Sequence, residues 1–309
     1  MSEHDEIVIR ALNNASGFET VGVSDCKITR LGGLTNLVHL VETIDRKVIV
    51  RIPGEGTEDY IDRAIEINNA IAAHRADVSA EVLWADAGSG VMISEAIQDI
   101  ETMTPDLFKS RIGSPARAGA ALAKLHGSGE VFKFRFELFS MIDDYLKILS
   151  TKDVDLPEGY HAIVKAAEPV QAALAANPTP LAPCHCDPLC ENFLDDGDKM
   201  WIVDWEYSGM NDPLWDVGDL SVEASMDTLQ EMDLMRAYFG GDPTPAQHGR
   251  VVIYKAMCDL LWTLWGLIQH ADDNPAEDFW AYATGRFERC KALMNDHSFE
   301  VHVAAVAAG

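Results

Sequence analysis

The stretch 181-LAPCHCDPLCENFLDDGDKMWIVDWE-206 decides how the rest of the chain is read. It carries His185, Asp187 and Asn192 in an H-x-D-x-x-x-x-N array, and a short apolar run at 200–203 then delivers Asp204. Residues 193–194 and 201–203 read as the arms of a hairpin closed by the turn Asp195-Asp196-Gly197-Asp198. Such a hairpin returns Asp204 to the side of Asn192, while Asp187 and Asn192 leave opposite ends of one tight loop. An acid beside an attacking hydroxyl, an amide five residues on and a second acid on the next β-segment are the parts that phosphoryl transfer requires, with Mg²⁺ held on the phosphates.

The same stretch also invites a zinc reading through Cys184, His185, Cys186 and Cys190. Structural zinc sites draw two ligand pairs from separate segments. Here all four candidates fall within residues 184–190, and Cys26, Cys258 and Cys290 stand alone. The plainer alternative is a set of small, half-buried residues that pack the loop.

A chain of 309 residues suits two modest lobes around sizeable cores. No apolar run approaches the ~20 residues of a membrane span. The acidic start MSEHDEIVIR has no apolar signal region, and six scattered cysteines fit a reducing compartment, so a cytoplasmic location is expected. Lys and Arg number 24 against 50 Asp and Glu, a formal net charge of −26. That surface repels nucleic acid and anionic membranes and favours a small cationic substrate, although solubility alone also accounts for it. Monomer and dimer both remain open.

Upstream, residues 3–15 read as a helix, and 27–31, 37–43, 47–52, 80–84 and 91–94 as strands of a small, mostly antiparallel five-stranded sheet. The turn Gly32-Gly33-Leu34-Thr35-Asn36 offers backbone N–H groups to phosphates. Arg51 ends the third strand, where a cation meets nucleotide phosphates, and Glu66, on a helix at 58–74 capped by Thr57, would orient it. The backbone from Glu95 to Ile97 is the expected adenine edge. Composition turns helical after Ile97, so 1–97 reads as a nucleotide-binding lobe and 98–309 as a catalytic and acceptor-binding lobe. Helices are expected at 104–126, 139–149 and 159–176, and Asp216 is placed to brace the catalytic loop.

A second constellation lies on a long helix at 250–271. Asp259, Trp262, Trp265 and Gln269 share one face, and a helix from Ala276 adds Phe279, Trp280 and Tyr282. Such a stripe is more often core than the wall of an acceptor pocket, but here it follows a phosphotransferase signature that needs such a pocket. Ring faces with nearby carboxylates, Glu206 and Asp259, hold a quaternary ammonium, which offers no strong hydrogen bond.

These segments resemble the choline/ethanolamine kinase family, within the group of aminoglycoside-phosphotransferase-like kinases. The resemblance rests on HCDPLCENFL, IVDWEYSGMNDPLWDVGD, LWTLWGLIQ and DFWAYATGRF, and near the N-terminus on GGLTN, VIVRIPGEGT and IDRAIEINNAIA. It implies a two-lobed, protein-kinase-like α/β fold and transfer of phosphate from ATP, with Mg²⁺, to choline. Asp187 is then the catalytic base with His185 beside it, and Asn192 and Asp204 bind Mg²⁺. Arg51, Glu66 and the Gly33, Thr35, Asn36 hairpin serve the nucleotide. Tyr207, Trp262, Trp265 and Tyr282 match the family's aromatic box, with Glu206 close by. Cys186 and Asp219 stand where the family often has Asn. Ethanolamine, thiamine or an aminoglycoside is the alternative acceptor, and a non-catalytic quaternary-amine binder is the alternative of another class.

Overall fold

The computed structural model describes residues 3–32, 36–54 and 61–309. Gly33, Thr35 and the Thr57 cap lie outside the described residues. The chain opens with α1 (Glu3–Leu12), followed by β1 (Cys26–Arg30), β2 (Asn36–Thr43), β3 (Lys47–Pro53), α2 (Arg63–Arg75), β4 (Val82–Asp86) and β5 (Val91–Glu95). The five strands form one antiparallel sheet in the order β1-β2-β3-β5-β4, as the alternating apolar pattern requires. Val48 and Val50 of β3 turn inward to meet Val41, Ile93 and, from α1, Val8, Ile9 and Leu12. Arg51 takes the opposite face and reaches Glu66 of α2.

The remainder is mostly helical. It comprises β6 (Glu101–Thr102), α3 (Pro105–Ser110), α4 (Ser114–His126), α5 (Leu138–Leu149), α6 (Tyr160–Ala166), α7 (Glu168–Ala176), β7 (Ala182–Cys184), β8 (Phe193–Asp195), β9 (Met200–Ile202) and β10 (Gly209–Asn211). Then come α8 (Leu214–Glu223), α9 (Thr228–Phe239), α10 (Pro245–Ala271), α11 (Phe279–Asn295) and α12 (Phe299–Ala308). One hydrophobic core spans these helices and also takes in Ala70, Ala73, Ala76 and Val78, so the C-terminal half of α2 is shared between sheet and helices.

Several expected boundaries move, each for a local reason. The helix expected at 58–74 begins at Arg63, where Asp62 accepts the N–H groups of Ala64 (3.0 Å) and Ile65 (3.1 Å) as the cap. The run 104–126 is two helices, because Gly113 adopts φ +76° and Pro115 cannot continue a helix. Pro169 likewise divides 159–176 into α6 and α7. α10 starts early, at Pro245, behind a Thr244–Gln247 capping box.

α10 is long and apolar enough to cross a membrane by length and composition alone. Lys255 and Asp259 interrupt its apolar run, and 78% of its most apolar window is buried against neighbouring elements of the same chain. Two glycines set how tightly those neighbours approach. A Cβ on Gly218 of α8 would lie 2.7 Å from the Val251 carbonyl oxygen of α10, and one on Gly266 of α10 would lie 2.7 Å from the Tyr282 ring of α11.

Candidate active site

The hairpin expected at 193–203 is present, pairing Phe193 with Ile202, Leu194 with Trp201 and Asp195 with Met200. Asp195, fully buried, accepts from Arg111 and Arg117 and so fastens the turn to the start of α4. The Val203 N–H donates to the Asn192 carbonyl at 3.0 Å, which brings Asp204 beside Asn192. Asn192 Nδ2 donates to the Asp187 carbonyl at 3.0 Å, leaving its amide oxygen as the atom for a cation.

Asp216 braces this loop. Its carboxylate accepts the N–H groups of His185 (2.7 Å) and Cys186 (2.8 Å) and the His126 Nε2 (3.0 Å). The brace is needed because Cys186 sits at φ +68°, a conformation easier for Asn than for Cys. Asp204 shares that φ of +68°. His185 is fully buried against Trp205 (4.9 Å between rings), and its Nε2 donates to the Val203 carbonyl at 2.9 Å. Burial pushes the imidazole pKa down, against the pull of Asp216, so it stays neutral. His185 therefore props the backbone that leads to Asp204, from inside the loop.

Arg51, Arg63 and three acids join the sheet to this loop. Arg51 pairs with Glu66 and lies 3.4 Å from Asp204, while Arg63 is 2.9 Å from Glu66 and 3.4 Å from Glu206. Asn36 donates to Glu206 at 3.0 Å. Glu206 thus groups with Glu66 and Asp204, and one oxygen from each lies within 4.8 Å of the others. These three carboxylates form an all-oxygen cluster of the kind that suits a hard divalent cation. Two N–H groups of Arg51, at Nε and Nη2, are buried with no partner among the described residues, as an anion site requires. At the hinge, the N–H groups of Glu95 and Ala96 go to the carbonyls of Glu81 (3.0 Å) and Lys47 (3.1 Å), and the Glu95 carboxylate pairs with Arg46.

The aromatic stripe divides. Tyr207, Trp262, Trp265 and Tyr282 converge, with ring centroids 5.7 Å apart for Tyr207–Trp262, 6.5 Å for Trp262–Trp265 and 5.7 Å for Trp265–Tyr282, all edge-to-face. Trp265 Nε1 donates to the Tyr207 hydroxyl at 3.1 Å. Asp259, read from sequence as a carboxylate for the acceptor, is instead fully buried between Arg286 (3.2 Å) and Arg289 (2.6 Å), because a buried acid must be paired. Gln269 is engaged with Asn274. The acids that accompany the rings are Asp219, which accepts from Trp262 Nε1 at 3.3 Å, and Glu223, 2.6 Å from Arg286. Arg286 in turn stacks over Tyr282 at 4.5 Å.

Burial and the charges of Asp204 and Glu223 hold the Asp187 carboxyl well above the usual carboxylate range. Burial also raises Asp204, opposed by Arg51, and pushes Glu206 up to about 7 with help from Asp204 and Glu66. A cation among these acids would reverse that trend.

A model of a phosphotransferase enzyme family matches residues 27–248. A solved structure of a choline/ethanolamine kinase family protein from Mesorhizobium loti is 59% identical, covers 98% of this chain and 99% of its own, and superposes with a TM-score of 0.90. The chain belongs to the choline/ethanolamine kinase family. It is an ATP-dependent phosphotransferase that acts on an alcohol group, in a protein-kinase-like fold. Among other members, ethanolamine kinase 2 of Mus musculus is 25% identical over 292 residues, covering 83% of this chain and 73% of that protein. The choline kinase LicA of Streptococcus pneumoniae is 24% identical, covers 96% of this chain and all of its own, and shares the fold with a TM-score of 0.79.

Within this kinase family member the zinc reading finds no support in the geometry. Cys184, Cys186 and Cys190 are buried free thiols, and Cys186 and Cys190 join no candidate metal cluster among the described residues. His126, Cys184 and Asp216 do come together, but Asp216 and His126 are already occupied by the loop brace and the Tyr238 hydroxyl. Sequence reading missed Arg63, Glu223 and Arg286. The available signals were Arg63 three residues before Glu66 on α2, and Glu223 one turn after Asp219 on α8.

Proposed function

We propose that this kinase transfers the γ-phosphoryl group of ATP to the hydroxyl of choline, with residues 1–97 serving the nucleotide and 98–309 the catalysis and the acceptor. The convergence of Tyr207, Trp262, Trp265 and Tyr282, with Arg286 stacked on Tyr282, carries the reading. Ring faces suit a trimethylammonium head. Asp187 orients the choline hydroxyl and accepts its proton. Asn192 and Asp204 hold Mg²⁺, with Glu206 near enough to share the cation; the metal neutralises charge on the phosphates. Arg51, aligned by Glu66, directs its unpartnered N–H groups at the nucleotide phosphates, and Gly33, Thr35 and Asn36 are the further residues assigned to the nucleotide. The backbone edge from Glu95 to Ile97 receives the adenine, with the Glu95 and Ala96 N–H groups engaged by Glu81 and Lys47. His185 positions the loop from within.

The test is ADP release with choline, ethanolamine, thiamine and kanamycin, each with Mg²⁺ and ATP. Choline should give the highest kcat/KM, and Asp187→Asn should lower kcat by ~10²–10⁴-fold, the usual worth of a positioned base. A higher kcat/KM for any other acceptor, or near-normal turnover in Asp187→Asn, would refute the assignment.

A further inference from the structure

Asp219 stands where this family often has Asn, and its surroundings give the difference a meaning. Its side chain is 1% exposed. Oδ2 accepts from the Trp262 indole at 3.3 Å, while Oδ1 is sealed from water with no hydrogen-bond partner among the described residues. Asp219 makes no ion pair among the described residues. The nearby cation, Arg286, is committed to Glu223 (2.6 Å) and Asp259 (3.2 Å) and stacked on Tyr282. Glu223 and Asp187 add like charge rather than relief, and with burial they hold the Asp219 carboxyl well above the usual range. A sealed acid that the protein leaves unpaired behind an aromatic wall is half of an ion pair. The rings are neutral, so they supply faces for a cation and no net charge against it.

We propose that Asp219 becomes the counter-charge of the acceptor's ammonium group, giving up its proton to solvent only when a cationic amino alcohol fills the aromatic box. The inference rests on the acceptor site proposed above and sharpens it: positive charge on the acceptor, beyond its shape, is what the pocket selects. Asp219 acts through the field it sets behind Trp262 and is a specificity-determining residue rather than a catalytic one. An amide at this position still accepts the Trp262 N–H, so Asp219→Asn removes charge and keeps the wall.

The test is calorimetric titration of the full chain with choline and with 3,3-dimethylbutan-1-ol, its neutral isostere of nearly the same shape. Wild type should bind choline at least ~10-fold more tightly than the isostere. Asp219→Asn should cut that ratio by about tenfold. A melting curve for the variant reports its folding. Parallel weakening of both ligands would make Asp219 a structural support, and an unchanged ratio, or a wild type that binds neither ligand, would equally overturn the proposal. No phosphoryl transfer is read in these titrations, so an absence of ADP release counts against the proposed reaction alone.

Discussion

Trp265→Ala is the perturbation that separates pocket from core. Trp262 is only 3% exposed, and Tyr282 has one face covered by Arg286, so half-buried Trp265 offers the largest indole surface to an acceptor. A ring face contributes ~0.5–2 kcal/mol to holding an ammonium, more as the site dries. Its loss should raise KM for choline by roughly 2- to 30-fold, since 1.4 kcal/mol is tenfold. Removal also takes away the indole N–H that donates to the Tyr207 hydroxyl at 3.1 Å. Ethanolamine keeps three strong donors and should suffer less, so the choline preference should shrink. The stability loss should stay below the ~3–5 kcal/mol typical of a fully buried Trp, whereas Trp262→Ala should reach it. Steady-state KM for both amines beside Tm reads all of this, with Trp265→Phe intermediate. A Tm drop of many degrees in Trp265→Ala with an unaltered choline/ethanolamine ratio would sink the pocket reading.

Asp216→Ala strips the acceptor from two backbone N–H groups and His126, each worth ~1–3 kcal/mol when left unsatisfied. Tm should fall by ten degrees or more and kcat with it, with Asp216→Asn between; a Tm within two degrees of wild type, on a scale where ~1 kcal/mol shifts a large domain by a few degrees, contradicts the brace. The protein free of metal should lose thermal stability as pH rises from about 4.5 to about 7. Glu206 titrates at about 7 in the folded chain against an ordinary 4.5, so the native state binds the extra proton in that window and gives it up as pH climbs. Its contribution is complete below 4.5 and gone above 7. Glu206→Gln should flatten the slope; a Tm that rises through this window in wild type contradicts the sign.

The catalytic loop was legible because its chemistry is local. Asp187, Asn192 and Asp204 lie within eighteen residues on a loop and a hairpin, and the turn at Gly197 fixes the register that brings them together. The strands were legible through Val, Ile and Thr alternation, as Val48 and Val50 show. Helix ends were less so, since Pro115 and Pro169 read as tolerable first-turn residues only once a break is known. Asp259 misled because helical periodicity places it beside Trp262, while the arginines that claim it come from α11, far along the chain. Glu206 likewise gains its partners, Asn36 and Arg63, across more than 140 positions, a distance no local pattern reports.

Gly218 and Gly266 touch no acceptor in this scheme, yet they set the separation of α8, which carries Asp219 and Glu223, from α10, and of α10 from α11, the two helices that carry three of the four rings. The width of the acceptor pocket is thus encoded partly in residues with no side chain at all. A family member that replaced either with alanine would have to move a helix, because 2.7 Å leaves no room for a methyl group. Acceptor size can therefore drift between relatives while every wall residue stays the same. An attempt to redesign the acceptor from its lining alone would overlook the two positions that govern how far apart the walls stand.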